Sequence, residues 1–248
     1  MITIGIPVFN EEKYIENTCE KVIKAAQLAG NIPIEIIIVN DGSTDRTHEI
    51  LKKLSNKYRF IRIITHEKNL GIGVSIKDVL KEAEYNKLSF IPGDDFLTLF
   101  TLKNIFLNAD KADVIMYYYI NTEERYKYRI VLSSFFTLIY MVVFDIHLKY
   151  INGIGIYPTK LLRSLPIKSK GYNITAEMTL KLLLSGCSYY EVIGYLKPNS
   201  ISSTALKIKN IINVFWSFIR LYFDVKYINK KLYNKKPRRV IDQEENYS

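Results

Sequence analysis

A hydrophobic run that ends Ile91-Pro92-Gly93-Asp94-Asp95 stops at a glycine and then presents two adjacent carboxylates. Carboxylates at a strand end, followed by the apolar Phe96-Leu97, can hold a hard divalent cation, and that cation can hold a diphosphate. A cation so held neutralises charge on a leaving diphosphate. The same string also reads as a polar turn with two solvated carboxylates, because Asp is a common turn former.

Two further strings fall at expected strand ends, and a third precedes a helix. In Pro7-Val8-Phe9-Asn10-Glu11-Glu12, Asn10 can cap the next helix while Glu11 and Glu12 complement its dipole. In Asn40-Asp41-Gly42-Ser43-Thr44-Asp45-Arg46-Thr47, Gly42 permits a tight turn and Ser43 or Thr44 can cap a helix. Asp41 has no capping task that its neighbours do not already fill, and a carboxylate there can accept hydrogen bonds from a nucleobase imide or a ribose hydroxyl. Asn69-Leu70-Gly71-Ile72-Gly73 is a small-residue turn before a helix, where exposed amides favour phosphate.

These strings need elements to position them. Strands are expected over residues 2–8, 34–40, 60–65, 88–91 and 114–120, and helices over 11–29, 44–58, 74–84 and 101–108. This rhythm predicts an α/β fold with a mostly parallel central sheet flanked by helices. Such sheets bind ligands beyond the carboxyl ends of their strands, where the polar strings lie. The second half predicts a long helix over 124–144, a strand over 155–157 leading to a helix near Pro158, a helix over 175–184 closed by Gly186, a strand over 189–193 and a helix over 206–223.

The chain has 248 residues, 48% of them hydrophobic, enough for one large core. Cys19 and Cys187 are far apart, and His48, His66 and His147 are scattered, so neither a disulfide framework nor a histidine metal motif is expected. The formal net charge of +10 favours polyanionic partners. Its tyrosines and phenylalanines sit mostly inside apolar periodic runs, which points to core packing and away from nucleic-acid stacking.

In the helix over 206–223, Asn210, Asn213, Ser217 and Arg220 form one polar stripe, and apolar residues including Trp216 and Tyr222 cover the rest. Such a helix is buried against its own domain or a second copy, or lies in a membrane interface. The basic run from Lys226 to Arg239 favours an anionic membrane surface. The apolar 130–144 segment is a second such element, shorter than the roughly 20 residues of a bilayer span. No basic leader precedes residues 2–8. The expectation is therefore a catalytic domain over 1–204, then a membrane-facing amphipathic helix and basic tail with a solvated end over 205–248, cytoplasmic and peripheral on the inner face of a membrane.

In that order and spacing, 7–12, 40–47, 69–73 and 93–95 resemble the family 2 glycosyltransferases with the A-type nucleotide-sugar fold. The resemblance implies that Pro7, Glu11 and Asp41 line the nucleotide pocket, with Asp94 beside them. It places Asp94 and Asp95 at a Mg2+ or Mn2+ ion and the diphosphate, with Asp95 the most direct contact. Gly93 stands where the family's first Asp is expected. A fainter resemblance, to the polyprenyl-phosphate sugar transferases of that family, covers Asn152–Tyr157 and Lys170–Met178, and puts Glu177 on the acceptor-side carboxylate as a candidate catalytic base. That group's arginine loop has no arginine here; Lys197 or Lys207 would have to replace it. The resemblance implies an inverting, metal-assisted transfer from a nucleoside-diphosphate sugar to a lipid-linked or sugar acceptor. The alternative is a non-catalytic module on the same fold that binds a carrier or a partner.

Overall fold

Two isoleucine-rich runs, β1 (Ile2–Val8) and β2 (Ile34–Asn40), form the middle of the sheet, and their side chains are buried on both faces as expected for strands covered on each side. The computed structural model describes residues 1–124, 126–171, 173–197 and 208–242, with the side chains of 208–212 excepted. The other elements are α1 (Ile15–Leu28), α2 (Thr47–Lys57), β3 (Ile61–Thr65), α3 (Ile72–Glu82), β4 (Lys87–Phe90), α4 (Leu99–Leu107), β5 (Val114–Tyr119), α5 (Lys127–Phe144), β6 (Gly155–Pro158), α6 (Thr159–Ser164), α7 (Ile174–Leu184), β7 (Ser188–Gly194), α8 (Ile208–Phe223) and β8 (Arg238–Arg239).

Among the described residues the strands form one sheet in the order β3-β2-β1-β4-β6-β5-β7-β8. Every neighbouring pair is parallel except those of β6, which runs antiparallel to both β4 and β5. This is the expected α/β class. The single reversal puts the start of β6 on the same rim as the carboxyl ends of the parallel strands. That rim gathers the loops after β1, β2, β3, β4, β5 and β7. One core, with Ile36, Ile38, Cys19 and Phe106, lies under α1, α2 and α4. The other, with Ile37, Val39, Val79, Met178 and Phe144, lies under α3, α5, α6 and α7.

The basic stretch expected as a tail is folded as far as β8. After α8 the chain makes a π-helical turn, Asp224–Ile228, buries Tyr233, and adds β8 beside Ser188 and Tyr189 of β7. Aromatic contacts join α8 to α5: Phe218 packs on Tyr140 and Phe144, with ring centres 5.1 and 5.9 Å apart. Outward, α5 exposes Val131, Phe135, Leu138 and Val142, and α8 exposes Phe215 and Trp216. Among the described residues α5 is long and apolar enough to cross a membrane by length and composition, and 17% of that stretch is buried. The expected acceptor loop over 198–204, with Lys207, lies outside the described residues.

Candidate active site

The loops after β1 and β2 are sewn together by side chains that the sequence offered as helix caps. Asn10, in the left-handed region at φ 58°, accepts a hydrogen bond on Oδ1 from the Thr44 amide at 2.8 Å, and its own amide donates to Ser43 Oγ at 3.0 Å. The amides of Glu11 and Glu12 donate to Thr47 Oγ1 (2.9 Å) and Asp45 Oδ2 (3.2 Å). The chain therefore spends residues 10–14 on this junction, and α1 begins at Ile15, later than expected.

Asp41 lies at the tip of β2, almost fully buried. Its Oδ1 accepts from the Leu70 amide at 2.8 Å and sits 2.7 Å from His66 Nδ1, while Oδ2 accepts from the Gly71 amide at 2.8 Å. The carboxylate thus organises the loop after β3, with one lone pair of Oδ2 left for a ligand. Gly42 permits this: at φ 72°, a Cβ there would lie 2.4 Å from the Lys68 carbonyl carbon. The far side of the His66 ring faces Asp78 of α3, with Nε2 2.9 Å from Oδ2. Burial alone would lower the His66 pKa, but the two carboxylates outweigh it and raise it.

The acidic pair after β4 is split. Asp95, at φ 59° and 4% exposed, accepts from Lys21 Nζ on Oδ1, and from Asn17 Nδ2 (2.5 Å) and Lys197 Nζ (2.7 Å) on Oδ2. Burial opposes its ionisation, but the two ammonium groups prevail and hold its pKa below the usual value. Asp94 is exposed. It is nonetheless hemmed in by enough protein for desolvation, with the charge of Asp95, to raise its pKa. Across from it, half-buried Glu11 is pushed up to about 7 by burial and by the charges of Asp94 and Asp45. The departure at Gly93 has a steric reason: a Cβ there would lie 2.6 Å from Val8 Cγ1 and 3.5 Å from Glu11 Cγ. A glycine lets the two loops close on one another.

The two carboxylates expected to share one cation thus stand in different surroundings. Both oxygens of Asp95 are engaged by cationic or amide donors, and two ammonium groups beside it oppose a metal ion. Asp94 remains, in an acidic neighbourhood that a cation would relieve. Among the described residues no three Asp, Glu, His or Cys side chains converge as a metal-holding group. A divalent ion would need Asp94, diphosphate oxygens and water, a set that Mg2+ commonly takes.

Glu177, the expected candidate base, is enclosed as well. It is 2% exposed, in the first turn of α7, and its carboxylate accepts from the amides of Lys168 (2.9 Å) and Ser169 (2.7 Å) and from Lys181 Nζ (2.7 Å). Burial favours its neutral form, but Lys181 and these amides win and lower its pKa. A carboxylate so neutralised and enclosed is not placed to take a proton from an acceptor. Lys181, fully buried, also pairs with Asp224 at 2.7 Å. The sequence reading missed His66, Lys21 and Lys181. His66 was legible as a histidine directly after a strand on the binding rim; the two lysines lie on helix positions that look solvent-facing.

Pro7 is half-buried at the end of β1, and Val8, Glu11 and Gly93 meet there. The family described as Glycosyl transferase family 2 matches residues 3–165. The glycosyltransferase GlyA of Streptococcus pneumoniae is 31% identical over 145 residues, 56% of this chain and 20% of its own length. The cholesterol galactosyltransferase of Borreliella burgdorferi is 39% identical over 79 residues, 32% of this chain and 22% of its own. The matched stretches thus span about a fifth of these curated relatives. The fold is shared with glucosyl-3-phosphoglycerate synthase from Mycobacterium tuberculosis, solved with Mn2+, uridine diphosphate and phosphoglyceric acid: TM-score 0.61 at 17% identity, covering 90% of this chain and 78% of that one.

Proposed function

The chain belongs to glycosyl transferase family 2, and from that premise we propose that it transfers a sugar from a nucleoside-diphosphate sugar to a lipid-linked acceptor at a membrane surface. The observation that carries the reading is the rim itself. Exposed Asp94 stands beside Glu11, at the junction of the loops from β1, β2 and β4, and Asp41 organises the loop after β3 next to them. The nucleotide is held between the β1 and β2 loops and the 66–71 turn. The Mn2+ and uridine diphosphate of the Mycobacterium tuberculosis enzyme support a divalent ion and a uridine donor here. Bound between Asp94 and the diphosphate, the ion would supply Lewis-acid neutralisation of the leaving group.

The acceptor attacks the anomeric carbon on the side opposite the diphosphate, which inverts the configuration. With Glu177 committed to buried ion pairs, an acceptor that is already anionic, such as a polyprenyl phosphate, needs no protein base. The exposed apolar faces of α5 and α8, with Lys226, Lys230, Lys231, Lys235, Lys236, Arg238 and Arg239 after them, suit an anionic membrane interface on the cytoplasmic side. The lipid acceptor in the name of the Borreliella burgdorferi relative agrees with this direction. The enclosure of Glu177 favours one second reading, a module that binds a carrier or a partner without turnover.

The test is release of nucleoside diphosphate from a panel of nucleotide sugars, with and without Mn2+ and with vesicles carrying polyprenyl phosphate. The proposal expects one donor to turn over, faster with the metal and the acceptor vesicles. Tight nucleotide binding with no turnover under any condition would select the non-catalytic reading.

A further inference from the structure

His66 stands between two carboxylates. Its Nδ1 lies 2.7 Å from Asp41 Oδ1 and its Nε2 lies 2.9 Å from Asp78 Oδ2. An ionised carboxylate only accepts, so both ring nitrogens must donate, and a ring that donates twice is an imidazolium. The backbone fixes the ring from a third direction, through the His66 amide, which donates to the Asn40 carbonyl at 2.9 Å. Asp41 from the end of β2 and Asp78 from α3 face the ring. His48 of α2 faces Asn40 instead, with 3.5 Å between Nδ1 and the amide nitrogen. Glu67 and Lys68, next to His66 in its own loop, are exposed.

Asp41 in turn holds the amides of Leu70 and Gly71, so its position and that of the 66–71 turn are one arrangement. Loss of the ring proton would set an imidazole lone pair against one of the carboxylates and loosen that arrangement. On the reading of the rim as a nucleotide site, we propose that His66 is a positioning residue for the donor: as an imidazolium it clamps Asp41 and the 66–71 turn, and donor affinity falls when its proton leaves. The sign follows from the contacts. Affinity is full while the ring is charged and is lost as pH rises through its pKa in the folded protein, which the flanking carboxylates raise above the ordinary histidine value.

The experiment measures dissociation constants of uridine, guanosine, adenosine and cytidine diphosphates by calorimetry, with Mn2+, from pH 6.5 to 9. It uses the full chain, His66→Gln and Asp78→Asn, each checked for fold by circular dichroism. In the wild-type chain the affinity of the best nucleotide is expected to fall at least about fivefold across this range. In His66→Gln it should start weaker and change only as the nucleotide itself titrates. In Asp78→Asn, with one carboxylate gone, the midpoint of the fall should move to lower pH. Equal pH profiles in wild type and folded His66→Gln would overturn the proposal. If His66→Gln does not fold, an unchanged midpoint in Asp78→Asn overturns it. Binding of no nucleoside diphosphate at any pH would remove the nucleotide site itself, and this inference with it.

Discussion

Asp94 and Asp95 are neighbours in sequence and opposites in environment. Asp95 is a buried anchor for Lys21 and Lys197. Asparagine tolerates its left-handed backbone, so Asp95→Asn removes charge without adding strain. It should cost about 2 to 4 kcal/mol in urea unfolding, because a buried carboxylate charge facing two ammonium groups is removed. An unchanged midpoint would contradict the anchor. Glu11 gives a pH test with a definite sign. Its pKa is raised from 4.5 to about 7, so its carboxylate weakens the fold above pH 7 and has no effect below pH 4.5. Glu11→Gln should therefore stabilise the chain at pH 8 by roughly 1 to 2 kcal/mol and leave its stability at pH 4.5 unchanged. A gain of the same size at both pH values would refute the raised pKa that burial and the charges of Asp94 and Asp45 give it. The strings around Asp41 and Asp94 were legible as loops on the carboxyl rim of the sheet, because each ends an apolar strand run. The fate of Asp95 and Glu177 was not, since only the fold shows which lysines reach them.

At the scale of elements, one buried ion cluster ties the carboxyl half together. Lys181 of α7 is fully enclosed and holds Glu177, the Pro166 carbonyl and Asp224, and Lys168 also donates to Asp224. The cluster joins α7 to the turn after α8. Through the Lys170 carbonyl, which accepts from the Gly73 amide at 3.1 Å, the same loop touches the start of α3. Lys181→Met would take the fully buried cation away from two buried carboxylates and should cost about 3 to 5 kcal/mol. Urea unfolding checks this, and a loss below about 1 kcal/mol would show that water or other donors replace the lysine. Strand positions were read from the sequence almost residue by residue, because runs such as 34–40 are apolar on both faces. The start of α1 was misplaced because tertiary bonds to Thr47 and Asp45 claimed the amides that a helix would have left free. β8 was invisible: two arginines have no strand pattern, and only β7 beside them makes them one.

At the scale of the whole molecule, the apolar outer faces of α5 and α8, with the basic segment after them, are the surface proposed to meet the membrane. Trp216, the single tryptophan, is exposed on it and reports directly on its surroundings. Its emission should shift to the blue on vesicles containing anionic lipid, and the shift should weaken in high salt as the lysines and arginines are screened. No shift, together with a stable dimer in solution, would assign this face to a second copy of the chain. The account as a whole rests on an activated sugar held at the rim through Asp94. Its most direct test is calorimetric titration of nucleoside diphosphates with Mn2+ into the wild-type chain and Asp94→Asn. One nucleotide should bind the wild type one to one, and bind the folded variant at least about tenfold more weakly, a loss of about 1.4 kcal/mol or more. Equal affinity in the two proteins, or no binding to either, would contradict it.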